Sequence, residues 1–355
     1  MPTSTVQLRA ALASLPRAAL ASLPTPLERG PLLPGGARLW VKRDDLTGLG
    51  LGGNKVRKLE LLCGRALADG ADTLVTVGAA QSNHCRMTAA AGAVLGLEVH
   101  LVLGGEEPVV ATGNQLLSRL FGATLHATCT ESWPALEAAK DRLCDELRAR
   151  GRRPFAIPIG GSTGLGAAGY AAAFIELVDQ CEQHDIAPAG IVVTSSSGGT
   201  HAGLALARAV VAHDASATLS SGVSSASSRR KAPPEIVAVA VAPGVVDPII
   251  PACLARSCAS VLGLDVAAGI DPEDLHIEQR ALGPDYAVPT DAADAAIVWA
   301  ARHGGWVTDR VYTDKGMAGL LLLAEEGRWG AGDDVVFIHT GGHPALFAPD
   351  GAPQL

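Results

Sequence analysis

Short apolar runs alternate along the chain with longer stretches rich in Ala and Leu. The runs TLVTV (73–77), EVHLVL (98–103), FAIPI (155–159), GIVVT (190–194), EIVAVAVA (235–242) and DVVFIHT (334–340) are β-branched and apolar almost throughout. That is the pattern of parallel strands covered on both faces, since a strand with one wet face alternates polar and apolar residues. Between them, 134–151 and 291–304 show apolar residues at helical spacing, and each ends in a glycine. The alternation predicts an α/β fold with open, mostly parallel sheets and helices on both faces. One stretch breaks the rhythm: 214–234 (DASATLSSGVSSASSRRKAPP) is rich in Ser and Ala and ends in a basic triplet and two prolines. It reads as a mobile surface insertion.

Composition narrows the class of partner. The 355 residues make about two domains at roughly 150 residues each. Lys plus Arg number 28 against 36 Asp plus Glu, a net charge of −8 that disfavours nucleic acid. The longest uncharged stretch, 186–207, has SSSGGTH at its centre and so reads as strand, loop and helix; no membrane span is expected. The seven cysteines are scattered, with no C-x-x-C pair and no Cys/His spacing for zinc, so the expectation is reduced thiols, a cytoplasmic protein and no metal.

Three motifs compete for the chemistry. Gly48, Gly50 and Gly53 match G-x-G-x-x-G, with Asp72 near the spacing of a ribose-binding acid. The context fails, because KRDDLT precedes these glycines where a buried strand should end, and Asp72 lies before the strand 73–77. Gly160, Ser162 and Gly164 match G-x-S-x-G after the run 155–159, which leaves open a serine hydrolase with Ser162 as nucleophile and His339 or His343 as base. The third is a set: GGNKVRK puts Lys55 in a glycine-lined turn, and SSSGGTH (195–201) lies between a strand and a helix. A Ser/Gly/Thr loop at a helix N-terminus cradles phosphate, because its free N–H groups and the helix dipole both face an anion. A phosphate site beside an amine suggests pyridoxal phosphate, whose aldehyde condenses with lysine.

Together with VKRDDLTG, QSNH (81–84), IGGSTGLGAAGY (159–170), GPDYAVP (283–289), VYTDKGMAGL (311–320) and HTGGHPALFA (339–348), these segments resemble the D-cysteine desulfhydrase and 1-aminocyclopropane-1-carboxylate deaminase family. The collinear match runs from about residue 22 to 349 and skips the Ser-rich insertion. It implies the tryptophan synthase β-like fold, with a large unit of 1–54 and 171–355, a small unit of 55–170, and the cofactor in the cleft between them. It further implies that Lys55 binds the cofactor aldehyde, that Ser197, Gly198, Gly199 and Thr200 hold its phosphate, and that Asn54 and Asn83 contact it, Asn83 at the 3-oxygen. Ser82, Asn83, His84 and Gly161 would receive the substrate. Tyr312 is expected against the cofactor ring, with Tyr286 as a second active-site tyrosine.

Two positions sort the activities. The deaminases resembled carry Glu after the ring tyrosine and Leu before the C-terminal Gly-Gly, whereas this chain has Thr313 and Thr340. A hydroxyl at the pyridine nitrogen protonates the ring less than a carboxylate would, giving a weaker electron sink. The resemblance thus implies elimination of sulfide from D-cysteine, yielding pyruvate and ammonia, with cysteate sulfo-lyase as an alternative leaving-group choice and cyclopropane opening disfavoured. It also implies a homodimer. A sensor that binds pyridoxal phosphate or an amino acid without turnover is the non-enzymatic alternative.

Overall fold

The computed structural model describes residues 4–220, 233–243, 246–265, 270–349, 351 and 353. Among the described residues, ten strands form two sheets. The larger has the order β1 (Leu27–Leu32), β2 (Arg38–Lys42), β10 (Asp334–Ile338), β7 (Gly190–Ser195), β8 (Glu235–Ala240) and β9 (His276–Glu278). All its neighbours are parallel except β1, which runs antiparallel to β2. The smaller sheet is wholly parallel, in the order β5 (Thr124–Ala127), β4 (Glu98–Leu103), β3 (Thr73–Gly78), β6 (Pro154–Ile157).

The six apolar runs are therefore strands, three of them (155–159, 235–242 and 334–340) ending short of the run. FAIPI stops at Ile157, because Pro158 has no N–H to donate to a ladder. DVVFIHT stops at Ile338, so His339 and Thr340 leave the sheet as loop at the carboxyl end of the strand. The strands not anticipated are β1, β2, β5 and β9. Three are edge strands with a single neighbour, and β1 contains Gly30 and Pro31, so none carries the apolar run of a strand covered on both sides.

The helices are α1 (Thr5–Ser14), α2 (Lys55–Ala68), α3 (Asn83–Leu95), α4 (Gly113–Leu120), α5 (Trp133–Ala149), α6 (Gly164–Gln183), α7 (Gly199–Ser220), α8 (Ile249–Val261), α9 (Asp291–Gly304), α10 (Thr313–Glu325) and the short α11 (His343–Leu346). Helix α7 carries residues 214–220 with it, a departure from the expected loop; the Ala-rich DASATLS prolongs the helix instead of breaking it. Residues 221–232 of the expected insertion lie outside the described residues.

Helix α6 is the spine to which the site-bearing helices are fastened. A Cβ on Gly169 would strike the Arg57 carbonyl, and one on Gly203 the Ala167 carbonyl, so α2 and α7 lie against α6 at distances only glycine permits. An ionic cluster fixes the same contact. Arg57 donates from Nε and Nη2 to Asp44 at 2.9 and 2.8 Å and from Nη1 and Nη2 to Glu176 at 3.0 and 2.9 Å. Lys42 donates to Glu176 at 2.5 Å and to the Thr25 carbonyl at 2.6 Å, and Tyr170 donates to Asp44 at 2.6 Å. Lys42, Asp44, Arg57 and Tyr170 are all buried.

Removing one member of a buried cluster leaves the rest uncompensated. Arg57→Met is expected to cost about 3–5 kcal/mol in thermal or urea unfolding, against about 1 kcal/mol for Tyr170→Phe. Burial pushes the Asp44 carboxyl up, but Arg57, Lys42 and Tyr170 outweigh it and hold it below its ordinary 3.8. The stability it contributes is thus fully present above that value and disappears as the pH falls through the lowered one. Acid unfolding curves of the wild type and of Arg57→Met check the sign.

Candidate active site

Four helices begin around one pocket at the carboxyl ends of strands from both sheets, where α/β folds collect their ligands. Lys55 is the first residue of α2. The glycine-rich loop before it is held by Arg86, which donates to Asn114 at 2.7 Å and to the carbonyls of Gly50 and Gly52. Gly48, Gly50 and Gly53 thus serve as the turn that delivers Lys55, and Asp72 spends its carboxylate on Thr73 and the Arg153 N–H, far from any dinucleotide role. The Lys55 amine donates to Asn54 Oδ1 at 3.0 Å and stands 5.8 Å from the centroid of the Tyr312 ring. Burial lowers its pKa to about 8; Asp309 opposes that shift and Arg86 adds to it.

Facing Lys55, the turn after β7 presents Ser197, Gly198, Gly199 and Thr200 at the N-terminus of α7. A Cβ on Gly199 would collide with Ser162 and with the Lys58 amine, so the cradle is open only because that residue is glycine. Lys58, one turn beyond Lys55, was not singled out by any motif. It is fully buried, its amine reaches only the Gly160 carbonyl at 3.3 Å among the described residues, and burial, with Lys55 adding, pushes its pKa well below the ordinary value. An amine so placed is completed by an anion. Its spacing of three from Lys55 was the available signal, because such positions share a helix face.

The third wall is the start of α3. Ser82 caps it, accepting from the Cys85 N–H at 3.2 Å, which leaves the N–H groups of Asn83 and His84 for an incoming anion. Asn83 Oδ1 is taken by the Asn114 amide at 2.9 Å, so the Asn83 amide group is available as a donor. Thr76 gives its proton to the Ile157 carbonyl and accepts from His84 Nε2 at 2.9 Å. His84 Nδ1 is left as a buried acceptor with no partner, and burial pushes that imidazole's pKa well below 6.5, with Lys55 and Lys58 adding.

The remaining wall is aromatic. The hydroxyls of Tyr286 and Tyr312 are hydrogen-bonded to each other at 2.5 Å, and burial raises both phenols, Tyr286 to about 12. Trp133 meets Tyr286 edge-on at 5.9 Å. At the sheet end, Thr340 lines the pocket and its hydroxyl lies 3.0 Å from that of Thr194.

Some expected residues sit elsewhere. Thr313 is fully buried and does not line the pocket; it donates to Asp309 Oδ1 at 2.7 Å and accepts from the Asp309 N–H at 2.9 Å. Asp309 also accepts from the N–H groups of Val311, Tyr312 and Thr313, so this buried acid, missed in the sequence, sets the backbone that carries Tyr312. Gly161 stays behind Gly160, which is the glycine of that turn on the pocket wall. Ser162 donates to Ser197 at 2.7 Å and has no histidine partner among the described residues. His339 uses both ring nitrogens, on the Val307 carbonyl and the Gly341 N–H, and His343 faces Asp45. The hydrolase arrangement is therefore not assembled. His339 and His343 cluster with Asp45, but that acid is already held in two bonds by Arg43.

An amine, an anion cradle with a second lysine beside it, and walls of hydroxyls and aromatic rings are the donor set a pyridoxal phosphate requires, and the residues present fit it. Comparison with known proteins agrees. A family model described as pyridoxal-phosphate dependent enzyme matches residues 19–341, and the chain belongs to that family. Its cofactor is pyridoxal 5′-phosphate. The chain is 39% identical over 346 residues to the D-cysteine desulfhydrases of Salmonella typhi and Salmonella newport (strain SL254), covering 95% of this chain and 97% of each relative. Among solved structures, an ACC deaminase homologue superposes with a TM-score of 0.81 at 34% identity, covering 96% of both chains. A threonine deaminase from T.th., at 22% identity and TM-score 0.63 and covering 96% of this chain and 98% of that one, shares the fold.

Two outcomes follow. Only the neutral amine attacks an aldehyde, so the rate at which the apoprotein takes up pyridoxal phosphate should rise with pH, with half its maximum near the Lys55 value of about 8; stopped-flow absorbance checks this. Lys58→Met should weaken cofactor retention by about ten- to hundred-fold, the worth of one charge-assisted hydrogen bond, as measured by equilibrium dialysis.

Proposed function

We propose that this chain is a β-elimination lyase that converts D-cysteine and water to sulfide, pyruvate and ammonia. The observation that carries the reading is the sheet end of the pocket, where the hydroxyls of Thr340 and Thr194 stand and no carboxylate lines the wall. Bound pyridoxal phosphate supplies an electron sink to the substrate's α-carbon, and a hydroxyl environment keeps that sink weak enough to favour loss of a good leaving group. A thiol with a pKa of about 8.5 leaves readily near neutral pH, whereas hydroxide requires strong acid assistance.

Residue roles follow from the donors available. The Lys55 amine, brought near neutrality by burial, takes the α-proton as general base. The free N–H groups at the start of α3, with Ser82, receive the carboxylate. Asn83 would donate its amide to the cofactor's 3-oxygen, and Ser197 to Thr200, with Lys58, would hold the phosphate. Tyr312 would lie against the cofactor ring, and the Tyr286 and Tyr312 hydroxyls, kept protonated by burial, would donate near the departing sulfur. The unit of 55–170 then forms the smaller side of the cleft and 1–54 with 171–355 the larger. A cytoplasmic homodimer completes the reading; the cysteines, free among the described residues, suit a reducing compartment.

The test is product analysis on the cofactor-loaded protein with D-cysteine, L-cysteine, L-cysteate, D-serine and 1-aminocyclopropane-1-carboxylate. Pyruvate and sulfide from D-cysteine are expected, with a fall of about 10³-fold or more in Lys55→Ala. Pyruvate from cysteate alone would change the leaving group to sulfite, and 2-oxobutyrate from the cyclopropane would overturn the hydroxyl argument.

A further inference from the structure

Trp133 opens α5 and lines the same part of the pocket as Lys55, Ser82 and Tyr286, yet no motif marks it. Its indole stands at 83° to the Tyr286 ring, and 37% of its surface is exposed. Its position is fixed from below: Pro134 occupies the first turn of α5, and Leu136 is buried in a small apolar cluster with Val77 and Val102 of the smaller sheet. A partly exposed indole at a pocket rim is apolar surface whose burial by a ligand is favourable.

The pocket's polar groups leave that wall a specific job. If an amino acid gives its amine to the Lys55 side and its carboxylate to the start of α3, the polar donors of those two walls are spent. The aromatic wall of Tyr286 and Trp133 is what remains for the side chain. The ring edges of Trp133 and Tyr286 favour polarisable sulfur, and the Trp133 indole is apolar bulk that a longer side chain would have to displace. We propose that Trp133 is the specificity-determining residue of this pocket, admitting short, sulfur-bearing β-substituents and excluding longer ones. The inference rests on the reading of the pocket as an amino-acid site, and not on which substituent is eliminated.

The experiment uses the cofactor-loaded wild type, W133F and W133A, with D-alanine, D-2-aminobutyrate and D-norvaline as probes that lengthen the side chain one carbon at a time and carry no leaving group. Binding is read from the change in the cofactor's visible absorption. The wild type should weaken steeply along the series. In W133A the penalty for D-norvaline relative to D-alanine should shrink by about ten-fold or more, with W133F in between, since one methylene in a tight pocket is worth about 10- to 200-fold. The W133F variant keeps an aromatic ring and so tests the idea even if W133A loses its fold. Equal length penalties in all three proteins would overturn the proposal, as would failure of every probe to bind. Discrimination that tracks Trp133 without sulfide release from D-cysteine would uphold the proposal and sink the desulfhydrase reading alone.

Discussion

The buried ion cluster of Lys42, Asp44, Arg57 and Glu176 is the constraint on which the site depends. Arg57 lies two residues beyond Lys55 on α2, Lys42 closes β2, and Glu176 projects from α6, so one set of charges ties the lysine-bearing helix to the larger sheet and to the central helix. Each charge is desolvated and survives only because its partners are in place. The tight glycine contacts at Gly169 and Gly203 extend the same rigid body to α7 and its anion cradle. Lys55 and the cradle consequently face one another across a distance set by backbone packing rather than by flexible side chains.

The electrostatics of the pocket are built from that rigidity. Lys55 and Arg86 bring positive charge into a small volume, and the N-termini of α2, α3 and α7 add partial charge of the same sign. Asp309 offsets part of it, but its oxygens are spent on the backbone of 311–313 and on Thr313. The outcome is a pocket that draws in anions, while burial, with Arg86 adding, brings the Lys55 pKa down to about 8. The phenols of Tyr286 and Tyr312 and the imidazole of His84 are kept neutral by the same burial. Neutral donors and acceptors therefore line the face opposite the anion cradle.

Much of this was legible in the chain. The central strands announced themselves because burial on both faces leaves only apolar, β-branched residues, and Lys55 and the SSSGGTH turn stood out because glycine and hydroxyl residues beside a strand end have few other uses. Asn83, Ser82, Tyr286, Tyr312 and Thr340 all come to the pocket. Less legible were the edge strands, whose single neighbour permits a polar sequence, and residues 214–220, where Ala-rich composition continued a helix that Ser content argued against.

The chain by itself determined the fold class and the cofactor chemistry and drew attention to Lys55, since each depends on local pattern: hydrophobic period, a glycine turn, a helix start. Tertiary structure alone decided which neighbours complete them. Lys58, Asp309 and Trp133 look in sequence like ordinary helix or loop residues; only the packing of α2 on α6 and the start of α5 carry Lys58 and Trp133 to the pocket, and only the fold of 309–313 sets Asp309 beneath the backbone of Tyr312. It also separated the two threonines, turning Thr313 back onto Asp309 and leaving Thr340 at the wall. Side chains far apart in the chain meet by packing, and their pKa values and partners are properties of that meeting, which no local pattern encodes.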